Sequence, residues 1–310
     1  MNNKALEELQ QVDLASVDVP SLVRLVSSAF DQVHLIGAVT HSPMIFCRAR
    51  RGHSPFHHRD QISYNRNSSE AGRCNFEGQS LLYAASSVLP LPVELETKPG
   101  EVLTVGYWRS TRKLLILPFG FSEEVRGKLG TKLRAHIKDE LPNIDQESAL
   151  RAECYKYLMD VFTRLISENE HHHYKLTSAI AEILLGDVTE GWAQQFYHGD
   201  SFNPNCFDGI KYPSIATFGN HHNYAIRPKT IDASVELFRA ETFQVEAVED
   251  GLDVLVPLRT GFPTSDGTIL WTNRFETRYE VQLANGSVSV SHDDGGFRVT
   301  NSSGEDSLGF

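Results

Sequence analysis

Arg73, Tyr83 and Glu94 follow one another at intervals of ten and eleven residues. Gly72-Arg73-Cys74-Asn75-Phe76-Glu77-Gly78 reads as a turn, Ser80–Ala85 as a strand closed by Tyr83, and Val88–Val93 as a short helical segment leading to Glu94. An arginine beside a turn glycine presents a planar fork that matches phosphate oxygens two at a time. A tyrosine can stack on a flat ring or bond a ribose hydroxyl. Glu94 stands among Leu91, Pro92, Val93 and Leu95, and a carboxylate in such company is either exposed at an edge or held in a site, because an unpaired buried charge is costly. Taken singly, each has an ordinary reading: a surface arginine in a turn, a core tyrosine on a strand, an edge carboxylate. As an ordered set they suit an anionic, ring-bearing nucleotide whose ribose develops positive charge.

The elements that must position this set are legible from periodicity. Residues 1–40 read as mostly helical, with Leu6 and Leu9 on one apolar face, Leu22, Leu25, Val26, Ala29 and Val33 on another, and Pro20 in the first turn of the second helix. Pro43–Arg50 reads as a strand, followed by a long polar loop, residues 51–67, that holds His53, His57, His58 and Arg59. Glu101–Trp108 and Lys113–Pro118 read as strands, and Ser122–Leu141, Glu147–Ile166 and Tyr174–Leu185 as helices. Gly209–Ser214 is strand-like and Ile231–Phe238 reads as a short helix. From Phe243 the pattern turns to β, with Leu252–Leu258, Thr268–Trp271, Arg278–Leu283 and Ser287–Ser291 as strands. Asn285-Gly286 is a hairpin signal between the last two, and Asn301–Phe310 reads as a polar, disordered tail.

The chain of 310 residues is long enough to bury a sizeable core, and its net charge of −11 argues against direct, sequence-nonspecific nucleic-acid binding. No apolar run approaches the ~20 residues that a membrane span needs, and there is no signal-peptide pattern at the N-terminus. Cys47, Cys74, Cys154 and Cys206 form no CxxC pair, so a reduced, cytoplasmic setting is expected. The run His171-His172-His173 diverges around the backbone and His221-His222 has no ligand at metal spacing, so no metal site is assigned. One ring of His57-His58 would line the cleft on a functional reading. Cys74 is either a thiol inside the motif or a small buried residue beside the turn.

The ordered set resembles the core of the RES domain family. Phe46-Cys47-Arg48-Ala49-Arg50 resembles that family's first strand, whose arginine projects into a nucleotide site; Arg48 is the match and Arg50 the alternative on the same strand face. Asp208-Gly209-Ile210-Lys211-Tyr212-Pro213-Ser214 resembles the late strand that carries the serine, Asn223-Tyr224-Ala225-Ile226 continues it, and Tyr174-Lys175-Leu176-Thr177 resembles the preceding helix start. The resemblance implies an α+β, ADP-ribosyltransferase-like fold: a split β-sheet with surrounding helices. Residues 1–40 would form a helical segment, 41–240 the catalytic domain with a helical insert at about 120–170, and 241–310 a β-rich extension.

It further implies cleavage of NAD at the nicotinamide–ribose bond by water or phosphate, with protein ADP-ribosylation or a non-enzymatic NAD-binding module as alternatives. Glu94, Tyr83 and Arg73 would be catalytic, and Arg48, Arg73, Tyr83 and Ser214 would bind substrate. NAD is then a substrate, with no cofactor. The setting would be a toxin of a toxin–antitoxin or defence system, partnered by an antitoxin or a second copy of the chain. The chain departs from the family in its length, about twice that of a compact toxin, and in Pro90 and Pro92 before the glutamate.

Overall fold

The computed structural model describes residues 4–30, 38–39, 43–52, 55–66, 68–120, 149–164, 166, 168–185, 207–217, 221–247, 253–272, 278–283, 286–293, 296–301 and 306–309. The expected helix Ser122–Leu141, His53, Cys206 and Asn285 lie outside them.

The chain is α+β. Ten strands form one mixed sheet in the order β1-β5-β6-β7-β3-β2-β4-β8-β9-β10. They are Ala38–Val39 (β1), Ile45–Arg51 (β2), Leu82–Ala85 (β3), Val102–Ser110 (β4), Leu115–Pro118 (β5), Gly209–Pro213 (β6), His222–Ile226 (β7), Val235–Ala247 (β8), Asp253–Pro263 (β9) and Ile269–Thr272 (β10). β5 and β6 run parallel, and the other neighbours are antiparallel. The helices are Lys4–Gln11 (α1), Val19–Phe30 (α2), Leu91–Glu94 (α3), Ala149–Phe162 (α4), Tyr174–Leu185 (α5) and Pro228–Ser234 (α6). Among the described residues none is long and apolar enough to cross a membrane.

The sheet is nearly parted in its middle. β2 meets β4 at seven positions, but β2 and β3 share only the pair Cys47↔Ala85. Continuing that register would set Ala49 against Tyr83. The ladder stops instead, and Nη1 of Arg48 donates to the Tyr83 carbonyl oxygen at 2.7 Å. A side chain thus satisfies a backbone group that strand pairing leaves over.

Helices cover one face of the half built from β5, β6, β7 and β3. Leu6, Leu9, Leu22, Val26, Cys154, Leu158, Phe162 and nearly all of α5 pack with Ile210, Tyr212 and Ala225. α5 is buried along its length, as its apolar composition requires. α3 caps the same face across the seam, where Leu91 and Leu95 meet Cys47, Ala49 and Ala85. The opposite face is covered by Ile62 and Tyr64 of the loop after β2, by Ile231 of α6 and by Ile269 of β10. One polar group is fixed inside: Asp208, 3% exposed, accepts both arms of Arg112 at 2.7 and 2.8 Å, the Leu115 N–H at 2.8 Å and the Thr230 hydroxyl at 2.8 Å. Four donors offset the desolvation of the charge.

Three expectations are corrected. Ile231–Phe238 is helical only as far as Ser234: α6 ends there, and from Val235 the chain pairs with β4, beginning at Ser110↔Val235. A long ladder to β4 outweighs the weak helical periodicity of Val235-Glu236-Leu237-Phe238. The boundary at 240/241 therefore falls inside β8, and β8, β9 and β10 extend the main sheet rather than an appended unit. The tail is not without structure: Asp306–Gly309 (β14) pairs with Gly296–Asn301 (β13), completing a four-stranded sheet with Arg278–Leu283 (β11) and Gly286–Asp293 (β12).

Candidate active site

Glu94 is the last residue of α3, a single helical turn in which Pro92 occupies a first-turn position. A first-turn N–H has no intrahelical partner, so proline there removes nothing and presets the backbone. The turn stops at once because Glu96 takes a left-handed backbone, φ 48°. These features place the Glu94 carboxylate at the surface beside the ends of β6 and β7.

There Oε1 of Glu94 accepts two hydrogen bonds, from Oγ of Ser214 at 2.5 Å and from Nδ2 of Asn223 at 2.8 Å. Ser214 is 0% exposed, just past β6, and its Oγ also accepts the Thr217 N–H at 3.3 Å. Asn223 shares the face of Tyr212, its cross-strand partner. Oε2 of Glu94 has no hydrogen-bond partner among the described residues. The carboxylate is thus held by one oxygen and open on the other.

Arg73 lies on the same side. The turn that carries it is closed by Gly72 N–H to the Asn75 carbonyl, 2.9 Å, and tied to α5 by Oγ of Ser178 bonding the Gly72 carbonyl, 3.0 Å. Nη1 of Arg73 donates to the carbonyls of Phe162 and Arg164 at 2.9 and 3.3 Å, capping the end of α4. Its Nε and Nη2, the edge that grips an oxyanion side-on, have no partner among the described residues. The guanidinium also sits 5.7 Å from the ring centroid of Tyr174. Between Arg73 and Glu94 stands Tyr212, 5% exposed. Burial holds its phenol well above the usual range, with Arg73 lowering it and Glu94 raising it, which sets a cation and an anion about one buried ring.

Tyr83 behaves differently from expectation. Its hydroxyl is committed inside the protein, donating to Oδ1 of Asn75 and accepting the Cys74 N–H, both at 2.7 Å. A Cβ on Gly72 would come within 2.9 Å of that hydroxyl, so glycine is needed where Tyr83 meets the turn. Tyr83 therefore fixes the Arg73 turn, and its hydroxyl is not free for a ribose. Arg48 is not in the Glu94 cluster either. It leaves β2 on the side of Phe46 and Arg50, opposite in phase to Cys47, whose partner Ala85 shares the face of Tyr83. Arg50 has the same phase and donates to the Ser63 carbonyl at 3.0 Å.

Residues not singled out from sequence complete the site. Nδ1 of His221 lies 3.4 Å from Oγ of Ser87, and burial lowers the ring's pKa, so His221 is neutral at physiological pH. Asn223, His221 and Tyr212 carry no spacing signal, because only the pairing of β6 with β7 brings them to Glu94. The ring of His58 does not line this cluster. It bonds the Asp266 carbonyl at 3.0 Å and pins the loop after β2 to the β9–β10 hairpin. Cys74 is 1% exposed and burial pushes its thiol up to about 12, the state of a small core residue rather than a nucleophile. Among the described residues no three His, Cys, Asp or Glu side chains are grouped to hold a metal ion.

Compared with known proteins, the chain matches no family model, no curated protein and no solved structure.

Proposed function

We propose that the chain cleaves the nicotinamide–ribose bond of NAD, on an ADP-ribosyltransferase-like fold of the RES type. The observation that carries this reading is the hydrogen bond between Glu94 and Ser214. Two residues assigned to one site from separate stretches of sequence meet at 2.5 Å. The near-parted sheet and the free edge of Arg73 support the same reading.

In this chemistry the C1′–N bond breaks and its electron pair leaves with nicotinamide, which departs as a neutral ring. The ribose becomes oxocarbenium-like, and an acceptor oxygen from water or phosphate bonds C1′ and sheds a proton. The free edge of Arg73 holds the diphosphate. Oε2 of Glu94 bonds a ribose hydroxyl and places negative charge against the developing cation. Ser214 and Asn223 fix that carboxylate, and Tyr83 positions Arg73. The setting that goes with this reading is cytoplasmic, with an antitoxin or a second copy of the chain as partner.

A second reading, transfer of ADP-ribose to a protein, is favoured by the exposed aliphatic groups that precede Glu94 in the chain. Leu89 is 46% and Val93 45% exposed, an unusual presentation of large aliphatic groups beside a carboxylate. The deciding experiment incubates purified protein with NAD, with and without phosphate, and measures free nicotinamide, with Glu94→Gln as control. Glu94-dependent release supports cleavage, and its response to phosphate identifies the acceptor. Absence of release with NAD bound in calorimetry would shift the assignment to a protein acceptor; absence of binding would overturn both.

A further inference from the structure

A row of side chains crosses the end of the sheet beside Glu94. Ala85↔Asn223 and Tyr212↔Asn223 are paired positions. The Ser86 N–H bonds the His222 carbonyl and the Ser214 N–H the His221 carbonyl, both at 2.8 Å, so the two ladders run on past the strand ends. That register sets Ser87, His221 and Ser214 side by side, two residues beyond Ala85, Asn223 and Tyr212 and on the same face. The side chains agree with it. Nδ1 of His221 lies 3.4 Å from Oγ of Ser87, and Oε1 of Glu94 accepts from Ser214 and Asn223. Ser214 is the cross-strand neighbour of His221, and Asn223 follows two residues on along the same face. The Glu94 carboxylate is therefore held by the two positions that flank the His221 ring.

The reaction proposed above needs a group that the residues named for it do not supply. When water is the acceptor, its oxygen must lose a proton as it bonds C1′. Glu94 is engaged with the ribose and its developing charge, Ser214 and Asn223 with Glu94, and Arg73 can only donate. His221 is half-buried. Burial alone lowers its pKa, so the ring is neutral at physiological pH. Glu94 of α3, Tyr212 of β6 and Tyr83 of β3 are the titratable groups on this face of the neighbouring elements. With Nδ1–H donating to Ser87, Nε2 carries the lone pair, and it has no hydrogen-bond partner among the described residues.

We infer that His221 is the general base that takes the proton of an attacking water, that Ser87 fixes its tautomer, and that water is thus the acceptor. The inference rests on the NAD reading above. The water oxygen bonds C1′, one of its O–H bonds breaks, and Nε2 takes the proton. Nicotinamide leaves with the electron pair of the C1′–N bond. The imidazolium then gives its proton to solvent, so NAD and water become ADP-ribose, nicotinamide and one proton. A phosphate dianion already carries an ionised oxygen and would not need this base.

The test is phosphate-free nicotinamide release by the wild-type chain, His221→Ala and Ser87→Ala, from about pH 5 to 8. General-base help is ordinarily about 10²–10⁴-fold, and an oxocarbenium-like centre places this case at the lower end. In His221→Ala kcat should fall about 10²-fold with KM within about twofold, and imidazole added to the solution should restore part of the rate. Wild-type activity should rise with pH through a midpoint below 6.5, because only the neutral ring accepts a proton. That limb should be absent from His221→Ala. Ser87→Ala frees the tautomer and should lose about tenfold or less. Glu94-dependent release that is unchanged in His221→Ala, is lost there without imidazole rescue, or requires phosphate would overturn His221 as the base and leave NAD cleavage standing. So would a larger loss in Ser87→Ala than in His221→Ala. Absence of release by the wild-type chain would remove both.

Discussion

Ser214 donates a hydrogen bond to Glu94 across 120 residues of chain, and with Asn223 it occupies one carboxylate oxygen while the other stays open. That asymmetry separates two jobs, holding the carboxylate and using it. Glu94→Gln keeps the shape and removes the charge, so NAD affinity should change little while turnover falls by about 10²–10⁴. Ser214→Ala should leave the charge but free its rotamer, with a loss of about tenfold in kcat. Single-turnover nicotinamide release beside NAD calorimetry checks both. Equal losses in the two variants would mean that Glu94 is structural.

Arg73 is split between a helix end and an open edge. Arg73→Lys cannot serve both, and NAD binding should weaken by about tenfold or more. The accompanying loss of stability should be only about 1–2 kcal/mol, from the α4 carbonyls it caps. Calorimetry with NAD and urea melts separate the two effects.

Tyr83→Phe removes a hydroxyl that is bonded twice within the Arg73 turn. The orphaned Cys74 N–H and Asn75 side chain should cost about 1–3 kcal/mol. Activity should fall through KM for NAD more than through kcat, since the turn carries Arg73. A fall in kcat alone would assign Tyr83 directly to the chemistry.

Glu182 sits in α5 at 3% exposure, and burial pushes its carboxyl up to about 7 from 4.5, with the Gln79 side chain opposing. The folded protein therefore holds this proton more tightly than the unfolded chain does. The contribution is complete below about 4.5, declines as pH rises, and is gone by about 7. Glu182→Gln should flatten that decline and stabilise the protein at pH 8 by roughly 1–3 kcal/mol. Denaturant melts from pH 4.5 to 8 measure the slope; an unchanged slope would contradict it.

The parts of the fold that follow a repeating pattern were legible in the sequence. Tyr174–Leu185 forms its helix over that span, and β2, β4 and β5 lie where alternation and apolar runs set them. Glu94 and Ser214 were readable because their flanking residues are distinctive. Asn223 was not, because its partner is decided by how β7 registers on β6, a tertiary event. The committed hydroxyl of Tyr83 was equally hidden, since it depends on how Asn75 folds back over its turn. Val235–Phe238 misled because local periodicity carries no knowledge of the β4 edge waiting for it, and the tail misled because Asp306–Gly309 pairs through its backbone, whatever its polarity.

The single rung between Cys47 and Ala85 bears on how the molecule comes apart. The hydrophobic clusters cross that line, with Phe46 and Trp108 packed among Leu82, Tyr224 and Ile226, and Cys47 and Ala49 beside Ala85, while a single backbone rung joins the strands. Side-chain packing rather than amide pairing therefore holds the two sides together, and truncating Phe46 should loosen hydrogen-exchange protection on both. A ligand that bridges the Arg73 turn and Glu94 would clamp this line, because α3 rests on Cys47 and Ala49 of β2 while Glu94 itself bonds Ser214 and Asn223.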